Sequence, residues 1–246
     1  PIWIATHSAV LKSEKHDVKL FDSTFYSEWS NNENIFNTKN QQYKPTDYEN
    51  IINYNDQNIK ESLQTVIEKY KPDIIFWSAL SSHIHGEGEY VNIQYGHDLI
   101  SGLNLYNAIL VTAGIQVTAS PELIFKKFKE IDYLIQGESE FVLSEFASKI
   151  KNTKELKDLN GLAYKESNKV KINPRQNLID DLDKIPNYDY SIFDDQIFLR
   201  PYNGKIVRAI DYELSRGCIY TCSYCVETVI QNYYGFHEKT NRGALI

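Results

Sequence analysis

Cys218, Cys222 and Cys225 are the only cysteines of the chain, and they fall within eight residues, separated by three and then by two others. Thiolates are soft ligands that select iron-sulfur clusters, zinc or copper, and this spacing can draw all three onto one small loop. Three ligands rather than four leave one coordination position empty, which is where a substrate or cofactor binds. A structural zinc site wants a fourth protein ligand, and His237, twelve residues on, could supply one. An odd, local set of cysteines is not the disulfide framework of a secreted fold.

Such a loop needs elements to hold it. The apolar residues Ile2, Ile4, Ala5, Ala9 and Leu11 recur at helical spacing and predict a first helix, after which Lys12 to Asp17 is a charged turn. Val18, Leu20 and Phe21 predict a short strand ending at Asp22. The Asn-rich stretch from Ser30 to Asn58 reads as a long surface loop. A helix over Ile59 to Tyr70 and a nearly all-apolar run from Ile74 to Leu80 come next, the latter a central parallel strand by composition. The alternation continues with a polar loop (Ser81 to Gly88), a helix (Tyr90 to Leu103) and a strand (Ala108 to Thr112). A helix (Pro121 to Lys129), a strand (Tyr133 to Ile135) and a helix (Glu138 to Ile150) complete it.

This alternation predicts an α/β fold, a doubly wound parallel sheet with flanking helices, in which ligands sit at the loops following the strand carboxyl ends. Those loops are Ser78 to Gly88, Ala113 to Ser120 and Gln136 to Glu140. Short alternating runs between Leu159 and Arg175 read as a hairpin, and an Asp-rich connector with Pro174 and Pro186 follows. Tyr212 to Leu214 predicts one more strand, running straight into the cysteines.

The composition narrows the partners. Of 246 residues 42% are hydrophobic and 24% charged, which is ordinary for a globular chain with one large or two modest domains. A net charge of -7, from 26 Lys and Arg against 33 Asp and Glu, gives no general attraction to nucleic acid or anionic lipid, so a small-molecule substrate is expected. The 18 tyrosines lack the basic interleaving of a nucleic-acid platform and are expected to be packing residues. No apolar run approaches a membrane span and no signal peptide is evident, which predicts a cytoplasmic protein with no membrane partner. The chain has no Met and stops 21 residues after Cys225, so it reads as a fragment cut at both ends.

The segment Ser215-Arg216-Gly217-Cys218-Ile219-Tyr220-Thr221-Cys222-Ser223-Tyr224-Cys225, with an aromatic residue just before the last cysteine, resembles the signature of the radical S-adenosylmethionine (radical SAM) superfamily. The resemblance implies that Cys218, Cys222 and Cys225 ligate a 4Fe-4S cluster whose remaining iron is chelated by S-adenosylmethionine, with Tyr224 near the adenine. It also implies reductive cleavage to a 5'-deoxyadenosyl radical, fed by an electron donor such as flavodoxin or ferredoxin.

Upstream, three stretches resemble the cobalamin-binding domain that precedes the barrel in one branch of that superfamily. They are Ile4 to Asp22, Thr112-Ala113-Gly114-Ile115-Gln116-Val117-Thr118-Ala119-Ser120-Pro121-Glu122, and Ile131 through Gly137-Glu138-Ser139-Glu140. Gln116 stands where that branch usually has His, Ala113 and Ser139 replace glycines, and no Asp-x-His-x-x-Gly motif for a lower cobalt ligand is present. By this resemblance Gly114 and Gly137 let backbone approach a bulky ligand, Ser78, Ser81, Ser82, Thr118 and Ser120 hydrogen-bond its rim, and Glu138 lies beside it. His83 and His85 lie in a polar loop where an axial or substrate contact is conceivable, though solvation is the ordinary fate of such residues. For Glu138 and Glu140, the first turn of a helix favours carboxylates on dipole grounds without any acid-base role.

The expected architecture is a Rossmann-like (flavodoxin-like) cobalamin-binding domain over residues 1–151 without its first strand, a hairpin and linker over 152–206, and the start of a truncated radical SAM (β/α) barrel over 207–246. The expected activity is methyl transfer or radical rearrangement on a substrate the chain does not specify. The alternatives are a Rossmann-type binding module with a structural zinc site, and a radical SAM protein whose first domain does not bind cobalamin.

Overall fold

A computed structural model describes residues 2–28, 50–78, 91–167, 169–203, 205–218, 220 and 222–235. Its centre is a five-stranded sheet. The first three strands, β1 (Ile74–Ser78), β2 (Ile109–Ala113) and β3 (Tyr133–Ile135), are parallel neighbours in that order. All three run to their carboxyl ends on one edge, so the turns after Ala113 and Ile135 face the same side.

Helices cover both faces: α1 (Ile2–Ser13), α2 (Ile59–Tyr70), α3 (Val91–Ile100), α4 (Ile115–Ala119), α5 (Pro121–Lys127), α6 (Glu140–Lys149) and α7 (Thr153–Lys157). α2 begins where the Asn58 side chain accepts the Glu61 amide and stops at Lys71 in the left-handed region, whose N–H caps the Ile67 carbonyl. Its buried residues Ile59, Leu63 and Ile67 are one helical face, of which Leu63 and Ile67 pack with Ile100 of α3 and Leu110 of β2. On the opposite side Leu143 and Phe146 of α6 pack on Val111, Ile135 and Leu162, all essentially without solvent contact.

The hairpin of β4 (Leu162–Glu166) and β5 (Lys169–Ile172) extends this sheet, with β4 antiparallel to β3 through Ile135 opposite Leu162. Leu162 and Ala163 are fully buried, which ties the hairpin to the first core. A second hairpin, β6 (Leu199–Tyr202) with β7 (Lys205–Arg208), stands apart as a two-stranded sheet. The last helix, α8 (Glu227–Tyr234), ends at Gly235 in the left-handed region.

Several expectations are corrected. Residues 18–22 form no strand, since no ladder partner lies beside them among the described residues; Tyr70 instead donates its hydroxyl to the Asp17 carbonyl. Residues 212–214 likewise run without ladder pairing among the described residues; the hydroxyls of Tyr190 and Tyr188 donate to the carbonyls of Asp211 and Glu213. The expected loop between Ala113 and Ser120 contains α4, a single turn and a half starting from Gly114. The last core helix starts at Glu140, not Glu138. The expected strand residues 79 and 80, the loop 81–88 with Ser81, Ser82, His83 and His85, and His237 lie outside the described residues.

Candidate metal centre and the turn that holds it

The three cysteines are free thiols, each partly exposed, on a segment without regular structure that leads into α8. The Cys225 amide donates to the Cys222 carbonyl at 3.0 Å, a tight turn that puts the last two cysteines on one bend. The Tyr220 amide points at Cys218 Sγ, 3.4 Å away. Tyr224 is 91% exposed and so is open to a ligand beside the thiols. Among the described residues no three His, Cys, Asp or Glu side chains are gathered closely enough to hold a metal ion, so the thiols share a loop without being drawn together. The donor set nonetheless suits a cluster: three accessible thiols, all soft, with no carboxylate or imidazole among them.

The carboxyl edge of the sheet is the other half of the site. At β2, Gly114 has φ 120 and ψ −172, a conformation that side-chain-bearing residues rarely adopt, and it opens α4. Thr118 is buried; its hydroxyl donates to the Gly114 carbonyl at 2.8 Å and accepts the Gly137 amide at 2.9 Å, tying the turns after β2 and β3 together. Gln136 Nε2 adds a bond to the Thr118 carbonyl at 3.1 Å. The side-chain oxygens Gln116 Oε1 and Gln136 Oε1 are buried with no hydrogen-bond partner among the described residues. Ser78 ends β1 on the same edge.

Gly137, with φ 75, is a place of close approach, and what approaches is protein. A Cβ there would lie 2.5 Å from the Tyr234 hydroxyl and 2.8 Å from a ring carbon of Tyr233, both on α8. The Glu138 amide donates to that same Tyr234 hydroxyl at 3.0 Å. Burial pushes the Tyr234 phenol well above its ordinary value, so it stays a neutral hydrogen-bonding group. The cradle at Gly137 is therefore filled by α8, whereas at the Gly114 end the Gln116 amide oxygen is buried and has no partner among the described residues.

Glu138 and Glu140 converge on one cation. Arg216, two residues before Cys218, lies 3.2 Å from Glu138 Oε1, 2.9 Å from Glu140 Oε1 and 2.8 Å from Glu213 Oε2. Burial alone would lower the guanidinium pKa, but the three carboxylates outweigh it and hold the charge above the ordinary arginine value. Glu138 Oε2 accepts the Ile179 amide at 2.7 Å, and Gln176 donates to the carbonyls of Gln136 and Glu138. Ser139, between the two acids, meets His7 Nε2 at 2.9 Å, while His7 Nδ1 lies 2.8 Å from the Trp3 carbonyl. A carbonyl only accepts, so Nδ1 carries the proton and Ser139 donates to Nε2. Arg216 and His7 were not singled out by spacing: their partners lie 78 and 132 residues away in sequence.

Sequence comparison finds relatives over part of the chain. An uncharacterized methyltransferase of Pyrococcus horikoshii is 31% identical over 160 residues, 65% of this chain and 32% of that protein. The anaerobic magnesium-protoporphyrin IX monomethyl ester cyclase of a Synechocystis species is 26% identical over 138 residues, 52% of this chain and 26% of that protein. The chain thus spans about a third or less of the length of these relatives. No profile of a known protein family matches it.

Among solved structures, the radical SAM methyltransferase TsrM of Kitasatospora setae, with tryptophan and a SAM analogue bound, superposes with a TM-score of 0.54 at 16% identity, over 92% of this chain and 38% of that one. The cobalamin-dependent radical SAM enzyme OxsB superposes with a TM-score of 0.53 at 20% identity, over 88% of this chain and 24% of that one. At such identities these two speak for the fold. In sequence the chain is similar to part of these two relatives, and in fold to these two structures.

Proposed function

We propose that this chain carries the cobalamin-binding domain and the cluster loop of a radical SAM enzyme, one that transfers a methyl group or rearranges a small-molecule substrate by a radical route. The observation that carries this reading is the set of three free, accessible thiols at Cys218, Cys222 and Cys225, on a segment bonded to the carboxyl edge of a Rossmann-like sheet. When bound, the cluster would supply the electron that cleaves S-adenosylmethionine, and the corrinoid would supply a methyl carrier.

The chain's own contribution is binding and orientation. The three thiolates would hold the iron of the cluster, and the exposed ring of Tyr224 would offer a face to the adenine of S-adenosylmethionine. Gly114, the buried Thr118 and the unpartnered Gln116 amide oxygen offer polar backbone and side-chain groups to a corrinoid rim, with Ser78 at the end of the neighbouring strand. A small electron-transfer protein of the flavodoxin or ferredoxin class would reduce the cluster, and a reducing cytoplasm would keep the thiols free. No helix among the described residues is long and apolar enough to cross a membrane.

The test is anaerobic reconstitution with iron and sulfide, read by absorption and by iron and zinc analysis, on the wild type and a Cys218/Cys222/Cys225→Ala triple variant. A brown species with roughly four irons that the variant loses is expected. A colourless protein holding about one zinc would overturn the reading in favour of a structural site.

A further inference from the structure

We infer that the Gly137–Glu140 turn of the first domain is a clamp that grips the cysteine segment on both sides, with Arg216 and Gln231 as positioning residues for the cluster ligands. This rests on the functional reading above, and adds to it where the geometry of the thiols is set.

The grip before the cysteines is ionic. Arg216 reaches Glu138 and Glu140, and Glu213 closes the far side of the guanidinium with two contacts, Nε to Oε1 at 3.1 Å and Nη2 to Oε2 at 2.8 Å. The side chains are withdrawn from water, Glu140 being 3% exposed, Glu138 9% and Arg216 17%. Such a pair is screened little by salt and has defined geometry, unlike a surface ion pair. Only one residue, Gly217, lies between this anchor and Cys218, so the anchor fixes where the first thiol starts.

The grip after the cysteines is made by α8. Tyr234 accepts the Glu138 amide, and Tyr233 and Tyr234 fill the space that a side chain at 137 would take. One turn earlier on the same helix, the buried Gln231 amide donates to the carbonyls of Cys218 and Tyr220, each at 2.9 Å. The loop carrying the thiols is thus suspended between Arg216 and Gln231, and both lead back to residues 137–140. Groups that orient metal ligands without touching the metal commonly change its affinity by about ten- to a hundredfold when removed.

Hydrogen exchange on the metal-free chain tests the clamp independently of any cluster. Arg216→Gln and, separately, Gln231→Leu should raise the exchange of amides over residues 216–225 by about tenfold while those of β2 are unchanged, and Arg216→Lys should recover part of the protection. On reconstituted protein the same variants should lose iron to a chelator about tenfold faster or more, and should alter the electron paramagnetic resonance signal of the reduced cluster. Unchanged exchange over 216–225 in both variants would overturn the clamp. A wild type that assembles no iron but shows the exchange effect would overturn the functional reading and leave the clamp standing.

Discussion

His7 is enclosed between α1 and the turn that opens α6, and its burial holds the imidazole pKa below the ordinary histidine value. The Glu140 charge and the Trp3 carbonyl pull it upward, Arg216 pulls it down, and the net direction is down. An unfolded chain then binds more protons than the folded one below about pH 6.5, so stability is complete above that pH and declines as the pH falls through it. Melting temperatures taken from about pH 7.5 to about pH 5 should fall in the wild type and fall less in His7→Gln. Parallel curves would mean that another group carries the slope. Gly137 gives a second prediction. Its φ of 75 and the 2.5 Å approach of the Tyr234 hydroxyl both oppose a side chain, so Gly137→Ala should cost about 1–3 kcal/mol in urea unfolding. A neutral result would mean that α8 does not sit against this turn. The cysteines were legible because three soft ligands at short spacing have few other uses. Arg216 was not, because its meaning lies in carboxylates 76 to 78 residues upstream that only the sheet brings near.

At the scale of elements, the connector between β5 and β6 is tied to α1. Asp189 Oδ2 accepts from Lys12 and from Ser8, each at 2.6 Å, and the Asp189 amide donates to the Ala5 carbonyl at 3.1 Å. Burial works against the Asp189 charge, but the bonds from Lys12, Ser191 and Ser8 outweigh it and hold the carboxyl at about 2. A carboxylate whose folded pKa lies below its unfolded one contributes stability above the unfolded value and loses it as the pH falls toward the folded one, here between about pH 4 and about pH 2. Asp189→Asn should therefore flatten the acid limb of a stability profile in that window, whereas an unchanged limb would place the anchor elsewhere. The same elements show why prediction from pattern worked unevenly. Ile59–Tyr70 and Tyr133–Ile135 came out at their expected bounds because α2 has a cap and a clean apolar face, and β3 is a buried run between breaks. The runs at 18–22 and 212–214 have strand-like composition but pair with no neighbour among the described residues, and pairing is not written in a run's own residues. Short α4 and α7 were missed because helices of five residues have too few positions to show a period.

At the scale of the molecule, the five-stranded sheet with its helices and the cysteine segment are joined by packing as well as by charge. α8 lies against α4, Tyr234 is 7% exposed, and its hydroxyl is bonded to the turn that starts α6. A contact of that kind makes the sheet and the last helix unfold together, because losing either exposes the apolar side of the other. Tyr234→Ala removes a large buried ring and should lower the stability of the whole by about 3–5 kcal/mol, while Tyr234→Phe keeps the ring, strands the Glu138 amide, and should cost about 1–2 kcal/mol. The readout that decides this is tryptophan emission, since Trp3 lies on α1 and Trp77 on β1, both far along the chain from the substitution. If the chain is one cooperative body, the emission midpoint in urea moves with the hydrogen exchange of α8, and both move by the same free energy in each variant. An emission midpoint that stays where it is while α8 loses protection would divide the molecule into two bodies and leave the cysteine segment hinged on the ion pairs of Arg216 alone.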